Sequence, residues 1–153
     1  MNQPAEEFDR EVRRYVYDAT VRRGCPPALA ETADVLRVPV PDVGDAFQRL
    51  AAGRVLVLQP DTGEILMANP FSAVPTPFVV ELAPGGYSCF GNCIWDALGI
   101  AAMTGRDGRI KTACGDCGTA MQVTVANGTL QHAEGLVHFA IPARHWWDDI
   151  VYN

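Results

Sequence analysis

The chain has 153 residues and a formal net charge of −6, from 12 Lys and Arg against 18 Asp and Glu. Hydrophobic residues make up 48% and charged residues 20%, enough apolar material for a packed core, which excludes intrinsic disorder. No run approaches the ~18 apolar residues of a membrane span. The charged start, MNQPAEEFDREVRR, has no apolar stretch of signal-peptide type, so a cytoplasmic protein without a membrane partner is expected.

Residues 6–23 place Phe8, Val12, Val16 and Ala19 at helical spacing and predict an amphipathic helix that ends at Gly24-Cys25-Pro26-Pro27. A second short helix is expected over 28–36. A third is expected from Pro41-Asp42 to about Ala52, with Asp42 as N-cap. Residues 54–59 and 64–68, separated by Pro60-Asp61-Thr62-Gly63, read as a β-hairpin. Three helices and a hairpin form a winged-helix-like pattern. Cut at residue 74, however, the first part has 8 Arg against 11 acids and the rest 4 cations against 7 acids. Each part is therefore −3, and a nucleic-acid partner is disfavoured because phosphate neutralisation needs a basic face.

The proline-rich stretch 69–77 reads as a linker between residues 1–74 and 75–153. Beyond it, 78–82 reads as a strand and Ala83-Pro84-Gly85-Gly86 as a turn. Residues 87–90 form a short segment before an apolar helix from Cys93 to Met103, stopping at Thr104-Gly105. Strands are expected over 109–114, 120–128 and 136–142, with a last helix around Arg144 to Asp149. The second part is thus α+β, mainly antiparallel strands around one central helix.

Five cysteines, an odd number without an export signal, point to free thiols rather than a disulfide framework. In Gly91-Asn92-Cys93-Ile94-Trp95-Asp96, Asn92 is expected to cap the central helix, which puts Cys93 in its first turn. There the dipole and free N–H groups favour a thiolate. Asp96, three residues on, shares that helical face. A thiol beside a carboxylate can exchange its proton with it. The same spacing also fits a buried cysteine and a capping aspartate. Cys114-x-x-Cys117 is half of a zinc knuckle, and tetrahedral zinc needs four ligands, which His132 and His138 could complete only through folding. It fits equally a strand turn with incidental thiols. Trp146-Trp147 reads as an aromatic anchor for the last helix or as a wall over a site.

Taken together, GNCIWDALGIAAMTGRDGRIKTACGDCG and LVHFAIPARHWWDDIVYN resemble the alkylmercury lyase family over about residues 78–153. The first 74 residues are similar, less specifically, to that family's helix-turn-helix domain. The resemblance implies a core over 75–153, expected to be truncated at its C-terminus, whose open sheet edge favours a homodimer. It also implies protonolysis of carbon–mercury bonds to a hydrocarbon and Hg(II), in the setting of mercury resistance, with two cysteines, one aspartate and no cofactor. Cys93 then corresponds to the first catalytic thiol and metal ligand and Asp96 to the carboxylate. Cys89 and Cys117 are candidates for a second thiol, and Trp95, Trp146 and Trp147 for the substrate pocket. Softness supports the pairing, because Hg(II), like Cu(I), prefers thiolate sulfur. Two alternatives stand beside it. The same pair could act on a different small molecule, or the protein could be a non-catalytic binder of Hg, Cu or Zn.

Overall fold

The computed structural model describes residues 3–85, 87–132 and 135–151, apart from the side chains of Gln3 and His132. Helices α1 (Gln3–Arg23), α2 (Leu29–Leu36) and α3 (Val40–Ala52) open the chain. The apolar stripe of α1 behaves as its spacing requires: Val12 and Val16 are buried against Val43, Ala46, Phe47 and Leu50 of α3. Helix α3 starts earlier than expected, with Pro39 at the N-cap position, so Asp42 lies in the first turn and caps nothing. Pro41 fits there because first-turn N–H groups have no helical partner. Strands β1 (Leu56–Leu58) and β2 (Ile65–Ala68) pair antiparallel, Leu56 opposite Ala68, and close this first core.

Residues 69–77 are not a linker. Within them, β3 (Phe71–Ser72) pairs with β2 on one side and with β5 (Ser88–Gly91) on the other. Phe71 is fully buried. Two strand residues are too few to show alternation, so only the prolines were legible in the sequence.

Strands β4 (Val79–Ala83), β6 (Asp107–Ala113), β7 (Ala120–Ala126) and β8 (Thr129–His132) extend one antiparallel sheet in the order β1-β2-β3-β5-β4-β6-β7-β8. The turn after β4 falls at Pro84-Gly85, and Gly86 lies outside the described residues. Strand β8 was not expected. Its signal was Asn127-Gly128, both at positive φ, a two-residue hairpin connection between β7 and β8.

Helix α4 (Ile94–Thr104) lies on the sheet and builds a second core of Phe71, Val80, Leu82, Cys89, Ala97, Ile100 and Ile110. Tyr17 of α1 packs against both cores and donates its hydroxyl to the Asn69 carbonyl oxygen at 2.8 Å. The two halves therefore share one sheet and one tyrosine.

The strand expected over 136–142 is absent; these residues are irregular and lead into a short 3₁₀ helix, Ala143–Asp148. Alternation of Val137, Phe139 and Ile141 is necessary for a half-buried strand but does not supply a ladder partner. No helix among the described residues is long and apolar enough to cross a membrane.

Candidate functional site

The β5–α4 corner places the thiol and the carboxylate together. Strand β5 ends at Gly91, where backbone meets backbone: a Cβ built there would lie 2.6 Å from the Ala97 nitrogen. Helix α4 can seat its first turn on β5 only because residue 91 has no side chain. Asn92 then turns the chain, donating its amide to Asn69 Oδ1 at 3.2 Å and to the Pro70 carbonyl at 3.3 Å. Cys93, not Asn92, is the N-cap residue, and its sulfur accepts the Asp96 backbone N–H at 3.5 Å.

The Cys93 thiol donates to Asp96 Oδ2 at 3.4 Å. Both groups are partly buried, and burial pushes both pKa values up. For Cys93 the Asp96 N–H opposes that rise, while the Asp96 carboxylate adds to it. For Asp96 the bonds from Cys93 and Asn92 pull back down. The helix terminus was expected to favour a thiolate; desolvation outweighs it, and the thiol holds its proton at neutral pH. A carboxyl group with a raised pKa beside a protonated thiol is a pair that can pass one proton back and forth.

Asn92 is the residue that sequence reasoning undervalued. It ties the corner to the β2–β3 connection and reaches Asp96, and its Oδ1 is buried without a hydrogen-bond partner. Its position next to Cys93 was the only signal.

The other candidates lie apart. Cys89 on β5 is 1% exposed within the second core, bonded to the Val80 carbonyl, and burial pushes its thiol up to about 11. Cys117 is exposed at the tip of the β6–β7 hairpin, and the Thr119 hydroxyl, first among its hydrogen-bond partners, lowers its pKa. Cys114, in the same turn, is partly buried. His138 is exposed, and of His132 only the backbone is described. No group of three or more His, Cys, Asp or Glu among the described residues could hold a metal ion, so zinc finds no complete ligand set.

Phe139 brings two of the three tryptophans together. Its ring is 6.1 Å from Trp95 and 5.2 Å from Trp146. Trp146 also donates its indole N–H to the Ile141 carbonyl at 2.9 Å. Trp95 remains 57% exposed, so it leaves one side of this aromatic cluster open. Trp147 goes elsewhere: Arg54 lies 5.4 Å over its ring, beside a cleft lined by Leu56, Pro60 and Ile150.

The alkylmercury lyase (MerB) family profile matches residues 71–152, just over half the chain, spanning β3 through the 3₁₀ helix. A solved structure described as "Crystal structure of the mercury-bound form of MerB2" is similar in fold. Its TM-score is 0.61 at 21% identity, over 86% of this chain and 67% of that one. No protein of curated function matches. The corner that carries Cys93 and Asp96 and the aromatic segment after residue 135 both fall within the matched region, and the chain belongs to the alkylmercury lyase family.

Proposed function

We propose that the protein cleaves carbon–mercury bonds by protonolysis, with Cys93 as mercury-binding thiol and Asp96 as proton relay. The observation that carries this reading is the 3.4 Å thiol–carboxylate contact at the start of α4. An organomercurial cation, R–Hg⁺, meets Cys93. The sulfur bonds mercury as its proton passes to the Asp96 carboxylate, leaving S–Hg–R beside a neutral carboxylic acid. Thiolate donation raises electron density on the carbon, which takes the proton from Asp96. The products are R–H, sulfur-bound Hg(II) and a carboxylate ready for the next thiol.

The raised pKa of Asp96 serves the second half of this cycle. A carboxyl group in water surrenders its proton well below neutral pH, whereas a desolvated one holds it longer, until the carbon accepts it. Asn92 positions the corner. The aromatic cluster that Phe139 and Trp146 build against Trp95, in the first turn of the same helix, supplies apolar surface for the organic group.

Single-turnover release of benzene from a phenylmercury salt, with excess thiol, tests the proposal. Cys93→Ser should abolish release, and Asp96→Asn should slow it by about 10²–10⁴, the usual worth of a positioned acid. Asp96→Asn that keeps mercury affinity but loses release supports the relay. Unchanged release in Asp96→Asn refutes it, and tight mercury binding without any release from the unmodified chain leaves only a soft-metal binder.

A further inference from the structure

The turn between β6 and β7 contains two thiols that the Cys93–Asp96 chemistry does not use. Ala113 and Ala120 are the last paired residues of the two strands. The loop between them is closed by two hydrogen bonds, Cys114 N–H to the Thr119 carbonyl at 2.9 Å and Gly118 N–H to the Cys114 carbonyl at 2.9 Å. Gly118 takes φ +70, a left-handed conformation that reverses the chain right after Cys117. Both cysteines therefore belong to one rigid, hydrogen-bonded knuckle. Thr119 Oγ1 lies 3.1 Å from the Cys117 sulfur. Around Gly115 and Gly118 there is open space: an added Cβ would meet nothing within 4 Å.

Strand register shows where this knuckle stands. Phe90 on β5, Val79 on β4 and Lys111 on β6 lie in one row across the sheet. Cys93 comes three residues after Phe90, and Cys114 comes three residues after Lys111. Both thus follow the same end of the sheet, leaving strands whose paired row at Phe90 and Lys111 stands two strand spacings apart, about 10 Å at ~4.8 Å per strand.

We infer that Cys114 and Cys117 form a second, two-thiolate site for Hg(II), which receives the ion after it leaves Cys93. The receiving role rests on the carbon–mercury reading above; the binding role does not. Zinc would need four ligands and finds two here among the described residues, whereas a soft ion content with two sulfurs is satisfied by the pair. The exchange balances without oxidant or reductant. Cys93–S–Hg⁺ and the two thiols give Cys114–S–Hg–S–Cys117, the regenerated Cys93 thiol and one released proton. A preformed pair holds the ion better than two separate thiols because the second bond closes within the turn.

The test uses the full chain, reduced and kept anaerobic, titrated with mercuric chloride against excess glutathione. Mercury–thiolate absorbance and intact mass give the stoichiometry. Cys93→Ser should still retain one Hg(II) per chain against the competitor. Cys114→Ser/Cys117→Ser in the same background should lose that ion, its retention falling by about 10²-fold or more. Equal retention in the triple variant overturns the proposal, and so does failure of Cys93→Ser to retain any ion. Where the multiple variant fails to fold, mass mapping of maleimide labelling on the unsubstituted chain decides: one equivalent of Hg(II) should protect Cys114 and Cys117 together and leave exposed Cys25 reactive. Protection of neither thiol overturns the proposal. A lack of benzene release would refute the lyase reading alone, since the knuckle is tested with Hg(II) itself.

Discussion

Gly91→Ala tests whether the close seating of α4 on β5 holds the candidate site in place. Gly91 is not in the left-handed region, so alanine there meets no conformational penalty, only a steric one. Its Cβ would lie 2.6 Å from the Ala97 nitrogen, 2.8 Å from its Cα and 2.9 Å from its Cβ. Carbon atoms pack best at about 3.5–4.0 Å, so the first turn of α4 must lift by roughly 1 Å. Backbone atoms cannot swing aside as a side-chain tip would. Overpacking of this kind costs about 1–3 kcal/mol. At about 2–4 °C per kcal/mol for a chain of this size, Tm should fall by roughly 2–12 °C. Gly99→Ala on the same helix is the control. Its Cβ would meet only the Pro70 ring, Cβ at 3.7 Å and Cγ at 3.9 Å, both ordinary contacts, and alanine in a helix interior gains about 0.5–1 kcal/mol over glycine. Urea unfolding followed by tryptophan fluorescence measures both. The reasoning fails if Gly91→Ala stays within about 0.5 kcal/mol of the parent, or if the two variants shift stability in the same direction.

Two further outcomes follow from the thiols. The raised pKa of Cys93 means that its alkylation by iodoacetamide should keep climbing with pH past the point where an ordinary thiol levels off. Asp96→Asn removes a carboxylate that raises that pKa, so the plateau should move to lower pH and the rate at pH 8 should rise; peptide mapping that shows an unchanged or slower rate contradicts the assignment. Cys89, buried and pushed up to about 11, should resist a thiol-reactive disulfide reagent in the folded protein while exposed Cys25 and Cys117 react at once. Equal labelling of Cys89 without denaturant would show that the second core opens readily.

Local spacing made the contact at the corner legible. A cysteine and an aspartate three residues apart at a helix start must share a face, and the thiol–carboxylate contact at 3.4 Å is what that geometry delivers. The protonation state was not legible, since it depends on how much neighbouring elements desolvate the pair, and here burial outweighs the helix terminus. Cys89, four residues before Cys93, looks like its neighbour in the chain. The β5–α4 corner sends one sulfur into the core and leaves the other at the helix cap.

The same division runs through the fold. The stripe of α1, the β1–β2 hairpin, the apolar α4 and the β6–β7 turn are readable residue by residue, because helical and strand periods and turn residues act over a few positions. Whether 71–72 joins the two halves into one sheet, whether 136–142 finds a ladder, and which of two adjacent tryptophans turns toward Phe139 depend on partners far away in the chain. A backbone hydrogen bond or a ring contact needs a second group brought to it, and only the packed tertiary structure supplies that group.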